Sequence, residues 1–189
     1  MKLDKLLSQH KNVLIKRWFD EVVRTYPVDT ASFLKQQKDP FANPVGNTTL
    51  KGLEALFDVL ITGMDREAVN SFLDPIIRIR ALQDFTPSHA TSFILFLKQA
   101  IRETLVKEFH DQDVVTAFMN FESRIDDLCL MAFDIYVKCR EKIYQLQANE
   151  MRNTTFSAFQ RAGLVKDVPD EDVPGLRLLT PPKNGICNV

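Results

Sequence analysis

At 189 residues and 45% hydrophobic composition, the chain suits one domain with an extension and carries enough apolar surface for a real core. A formal net charge of −1, with no basic run and no RNA-binding motif, argues against nucleic acid or an anionic membrane surface as partner. Six glycines argue against glycine-rich nucleotide loops, and 14 phenylalanines against one tryptophan predict a core rich in phenylalanine.

In chain order, the first helix is expected from about Lys2 to Thr25, with Leu3, Leu6, Leu7, Leu14, Trp18 and Val22 as its apolar stripe. Tyr26-Pro27 ends it, because proline biases its predecessor out of the helical region. Asp29 or Thr30 then caps a short helix over 31–37. The stretch Asp39 to Gly46 reads as a loop whose Phe41 turns inward. Asn47, Thr48 or Thr49 caps a helix over about 50–62, which Gly63 stops. Asp65 starts a short helix that ends at Asp74-Pro75.

Asp74-Pro75 and Thr86-Pro87 each set a capping side chain before a proline, the grammar of a helix start. They predict helices over about 75–84 and 87–108 around a corner at Asp84-Phe85-Thr86. In the second of these, Ala90, Phe93, Ile94, Leu97, Ile101 and Leu105 recur at helical spacing, marking the core helix. The last large helix begins near Asp111 or Asp113 and continues to about Arg152, fraying toward Gly163. Its seam is Val115, Phe118, Ile125, Cys129, Ala132, Tyr136, Cys139, Ile143 and Leu146, with Glu122 the exception. Phe121, Leu128 and Ile135 widen that seam. A helix of about 40 residues would be about 60 Å long, longer than a small domain is wide, so its end is expected to project and pack on something else. No alternating strand pattern competes. The class is all-α, with a helical domain over 1–163 and a proline-rich, mobile tail over 164–189.

The chemistry is sparse. His89 opens the core helix as a polar first-turn residue, with no second metal ligand at ligand spacing; His110 to Asp113 reads as a helix stop followed by a cap. Arg78 and Arg80 leave a helix about 200° apart, so they form no single fork; Asp74–Arg78 and Arg80–Asp84 are spaced for intrahelical pairs. The sharper alternative is that one arginine holds an anionic ligand or a partner carboxylate. Cys129 and Cys139, ten residues apart on one helix, stand about 15 Å apart and do not bridge. The N-terminus lacks a signal peptide's apolar centre, and no segment approaches the length of a membrane span. No GxSxG, Walker loop, HExxH or CxxC marks a catalytic site.

Four blocks occur in order: LIKRWFDEVVRTYP, FANPVGNTTLKGLEALFDVLITG, IIRIRALQDFTPSHATSFILFLKQAIRE and RIDDLCLMAFDIYVKCREKIYQL. Together they resemble the N-terminal domain of the stressosome co-antagonist proteins of the RsbR/RsbRD type, over roughly residues 5–150. The resemblance implies an all-helical, globin-like sensor domain without haem, usually dimeric, used for signalling rather than catalysis. Such domains usually precede a phosphorylatable STAS domain, for which no room remains here.

These readings lead to a non-catalytic, cytoplasmic sensor or interaction module with no cofactor and no metal, a homodimer with an unidentified signalling partner, neither binding nucleic acid nor entering a membrane. The alternative is a binding protein for a small apolar or anionic ligand in the helical core. Its ligand or partner candidates are Arg78, Arg80 and His89, with Phe93, Phe96, Leu97 and Phe133 lining the pocket. The dimer-interface candidates are Tyr136, Cys139, Ile143 and Leu146, where the apolar seam narrows beyond Lys138.

Overall fold

Helices α1 (Lys2–Gln9) and α2 (Lys11–Arg24) replace the single first helix expected from the sequence, with a one-residue turn at His10 between them. The computed structural model describes residues 2–63, 65–83 and 85–164. There follow α3 (Val28–Gln36), α4 (Pro44–Thr62), α5 (Arg66–Leu82), α6 (Pro87–Thr91), a 3-10 turn at Ser92–Ile94, α7 (Phe96–Thr104), a second 3-10 turn at Glu108–His110, and α8 (Gln112–Arg161). Among the described residues there is no strand, and the fold class is all-α, consistent with a globin-like bundle.

Two compact units divide the chain, residues 1–144 and residues 145–189. Within the first, α2 packs on α3, α4 and α7, and α4 packs on α5. Leu14, Trp18, Leu53, Leu56, Phe57, Leu73, Ile77, Phe93, Leu97, Ile125 and Leu128 are completely or almost completely buried in one cluster. That cluster is aliphatic more than aromatic. Phe57, Phe93, Phe118 and Phe121 are buried in it and Phe19, Phe85, Phe96 and Phe109 pack against it half-buried, while six of the 14 phenylalanines are exposed, so the expected phenylalanine content of the core is carried by eight of them. Phe41, expected to turn inward, is 97% exposed. In the second unit the described residues are the rest of α8 and the turn after it, where Gly163 takes a positive φ of 69° and Leu164 N–H donates to the Phe159 carbonyl. The predicted tail lies, beyond Leu164, outside the described residues.

The expected loop ends at Asn43, and Pro44 to Gly46 already belong to α4, so Asn47, Thr48 and Thr49 lie inside the helix and do not cap it. Asn43 is the N-cap: its Oδ1 accepts from Gly46 N–H at 2.9 Å, and Pro44 sits at the first helical position where its missing N–H costs nothing. The amide end of the same side chain donates to the Leu34 carbonyl at 3.0 Å and the Gln37 carbonyl at 2.9 Å, tying the end of α3 to the start of α4. A Cβ on residue 46 would stand 2.4 Å from that amide nitrogen, so only glycine fits beneath the cap.

A second correction concerns Pro75, which lies inside α5 and starts no helix. Val69, Leu73, Ile76, Ile77 and Ala81 carry one buried stripe straight through it. Pro75 and Ser71 are both exposed, so the carbonyl that loses its donor faces water, which limits the cost of an interior proline. Asp74 caps no helix, but the intrahelical pair with Arg78 that its spacing allows forms at 2.5 Å. The core helix predicted over 87–108 is broken at the 3-10 turn. In α8 the deeply buried line is Val114, Phe118, Phe121, Ile125, Leu128, Ala132 and Tyr136, so Phe121 and Leu128 belong to the seam itself, while Cys129 is half-buried. Glu122 is accounted for by its 2.5 Å ion pair with Arg102 of α7.

Replacing Asn43 by alanine removes one cap bond and two donors to buried or half-buried carbonyls. We expect a loss of about 2 kcal/mol in urea denaturation, with helical circular dichroism retained. A loss below about 0.5 kcal/mol would show that the α3–α4 junction does not depend on this side chain.

Candidate functional site

The corner between α5 and α7 is built from carbonyls that give their lone pairs to side chains. Ala81, Phe85, His89 and Phe93 follow one another every four residues, and each carbonyl oxygen accepts from a different residue. Arg140 Nη1 donates to Ala81 at 3.1 Å, Tyr136 Oη to Phe85, Arg80 Nη2 to His89 at 3.0 Å, and Trp18 Nε1 to Phe93 at 2.7 Å. In a continuous helix the Leu97 amide would hold the Phe93 carbonyl; here the buried Trp18 indole holds it. That substitution accounts for the 3-10 turn interrupting the predicted core helix. Thr86 restarts the chain after the corner by the expected grammar, its hydroxyl accepting from His89 N–H at 3.3 Å with Pro87 behind it.

Arg80 is the chemically unusual member. It occupies a buried position on the α5 stripe and is 1% exposed. Besides the His89 carbonyl, its Nη2 donates to Thr25 Oγ1 at 2.9 Å, and Thr25 in turn donates to the Val22 carbonyl at the end of α2. The guanidinium carbon lies 4.4 Å from the ring centre of Phe85, 5.2 Å from Phe93 and 5.5 Å from Tyr26. Nε and Nη1 have no hydrogen-bond acceptor among the described residues. Burial draws the Arg80 pKa below its ordinary value, partly offset by the Tyr26 phenol. Burial likewise pushes the Tyr26 pKa up, partly offset by Arg80. Cation–π contacts of about 0.5–2 kcal/mol each stand against a desolvation cost of several kcal/mol, so this cation adds little net stability. The expected Arg80–Asp84 pair involves a residue outside the described ones.

Of the other sequence candidates, His89 reaches it through its carbonyl and Phe93 through its ring, and the rest do not gather around it. His89 contributes its carbonyl; its ring is tilted against Phe85 at 5.2 Å, and the residue is exposed. Phe93 and Leu97 are fully buried, Phe96 is half-buried, and Phe133 is 45% exposed and does not join them. No group of three or more His, Cys, Asp or Glu side chains that could hold a metal ion occurs among the described residues. The residues that sequence reasoning missed are Thr25, Tyr26 and Phe85, which complete the surroundings of Arg80. Their signal was faint, since each is adjacent to a helix end rather than on a stripe.

Arg78 belongs to a separate feature, a cleft of about 620 Å³ between α5 and α8. Arg66, Asn70, Asp74 and Arg78 line it from α5, and Met131, Asp134, Ile135, Lys138, Cys139 and Lys142 from α8. The bonded pair Arg78–Asp74 lies beside the Cys139 thiol, whose pKa is raised chiefly by burial, with Arg78 pulling it back and Asp74 adding to the rise. Of the remaining interface candidates, Tyr136 is 4% exposed within its own chain's core and spent on the Phe85 carbonyl, Ile143 is half-buried, and Leu146 is 57% exposed.

The model of the family described as "RsbT co-antagonist protein rsbRD N-terminal domain" matches residues 12–151. Nothing among curated proteins or solved structures matches the chain. No helix of the described residues is long and apolar enough to cross a membrane.

Two substitutions separate a stabilising role for Arg80 from a costly one. Arg80→Met removes the charge and both unpartnered donors; its unfolding free energy should fall within about 1 kcal/mol of the parent, or above it. Arg80→Lys keeps a buried charge but loses the planar fork, and should cost about 1–3 kcal/mol. Urea denaturation in which methionine is the more damaging change would contradict this assignment.

Proposed function

The chain belongs to the family of RsbT co-antagonist protein RsbRD N-terminal domains, which makes it a stressosome-related signalling domain, and from that membership we propose that it is a non-catalytic cytoplasmic module that acts by protein association, as a homodimer that engages a signalling partner. The observation that carries this reading is the uncovered apolar surface on the described helix of the second unit. Met151 is 72% exposed and Phe159 50% exposed, and with Ala148 and Thr155 they recur at spacings of three and four on one face. Large side chains repeated on one helix face are costly to leave wet, and a second copy of the same helix covers them by symmetry. Leu146, the exposed member of the interface expected from sequence, stands about 140° around the helix from Met151, so the two faces are separable by mutation.

A second reading, a small anionic ligand in the helical core, is favoured by the two donors of Arg80 that have no acceptor among the described residues. Native mass spectrometry of the freshly purified chain and of Arg80→Met addresses it: a bound mass lost in the variant supports the ligand, and identical bare masses remove it.

For the dimer, burying one such side chain is worth about 1.5–3 kcal/mol. Met151→Glu with Phe159→Glu should therefore raise the dissociation constant at least about a hundredfold in sedimentation equilibrium, leaving a folded, helical monomer. An unchanged dimer, with Ile143→Glu and Leu146→Glu breaking it instead, would move the interface to the seam. A parent chain that is monomeric at micromolar concentration would remove the homodimer altogether.

A further inference from the structure

Within the first unit, the α5–α8 cleft has more cations than its own carboxylates can neutralise. Arg66, Arg78, Lys138 and Lys142 face it, against Asp74 and Asp134. Asp74 is taken by Arg78, while Arg66, Lys138 and Lys142 have no ion-pair partner among the described residues. Between the cations run Met131, Ile135 and Cys139, all half-buried, as an apolar strip. The α5 residues recur every fourth position from 66 to 78, which is about 18 Å of helix, and those of α8 extend over a similar length. Tyr136 and Arg140, bonded to the Phe85 and Ala81 carbonyls, fix the register of α8 against the end of α5, so the walls are set before anything binds.

The geometry points to this cleft as the docking site for an acidic segment of a protein partner. An extended peptide advances about 3.3 Å per residue, so five or six residues span the groove, their carboxylates meeting cations and an intervening apolar side chain meeting the Met131–Ile135–Cys139 strip. A lone small anion would use one end of so long a groove and leave the apolar strip uncovered. A nucleic acid would find no aromatic side chain among the lining residues on which to stack a base. The inference rests on reading the chain as an interaction module and adds the chemistry of its partner.

The test is fluorescence anisotropy with a labelled peptide of about eight residues, glutamates with interspersed leucines, and its glutamine counterpart, against the full chain. The acidic peptide should bind and the glutamine peptide should not, and binding should weaken as salt is raised. Arg66→Glu with Lys138→Glu and Lys142→Glu, all at exposed positions, should weaken it at least about tenfold. Lys5→Glu with Lys16→Glu and Lys51→Glu makes the same change in net charge at exposed positions away from the cleft and should leave it within about twofold. No binding, or equal weakening in both triple variants, overturns the site. Inorganic phosphate displacing the peptide at equal concentration overturns the peptide assignment in favour of a small anion. A chain that dimerises as above yet ignores the peptide refutes the cleft and leaves the association reading intact; a monomeric chain that binds it through these cations does the reverse.

Discussion

Four carbonyls set the architecture of this domain. Ala81, Phe85, His89 and Phe93 present their oxygens to Arg140, Tyr136, Arg80 and Trp18, side chains drawn from α8, α5 and α2. Each bond is worth only about 1 kcal/mol net, but an unmet buried carbonyl or indole would cost about 1–3 kcal/mol. The corner therefore tolerates few arrangements of its neighbours. α2 must bring Trp18 under the 3-10 turn, and α8 must bring Tyr136 and Arg140 beside the end of α5. The bundle's register is fixed at a place where the chain is least regular.

That irregularity explains what the sequence disclosed and what it did not. Buried stripes of α2 and α4 and most of that of α8 are legible from spacing, as are Gly63 as a stop and Asp65 and Thr86 as caps. Proline was the poorest guide, because its grammar is local. Asn43-Pro44, Asp74-Pro75 and Thr86-Pro87 look alike in sequence, yet the first two were misread in opposite senses. Asn43 starts α4 at Pro44, ahead of the start expected near residue 50, since its decisive bonds run back to Leu34 and Gln37. Pro75 reads locally as a start, although Leu73, Ile76 and Ile77 continue the buried stripe across it. Nor could spacing announce the break within 87–108, since Trp18 lies 75 residues from the carbonyl it takes.

The misreading of Pro75 also concealed the charged cleft. With α5 divided at residue 74, Arg66 and Arg78 fall on different helices; with α5 continuous, Arg66, Asn70, Asp74 and Arg78 line one face. Arg80, two positions further, points the other way into the core, as a helix requires. A single helix thus supplies both the buried guanidinium of the corner and the outer wall of the cleft, while α8 supplies Tyr136 to the one and Cys139 to the other. The proposed docking cleft and the corner therefore share the same two helices.

Amide hydrogen exchange resolved along the chain, in the parent and in Trp18→Phe, tests most directly whether side-chain donors hold the corner. Phenylalanine keeps most of the buried ring and deletes the donor to the Phe93 carbonyl. Amides between residues 86 and 97 should then exchange at least about tenfold faster, while those in the middle of α4, from Leu53 to Leu60, change less. Unchanged protection over 86–97, or the same acceleration in α4, would contradict the account.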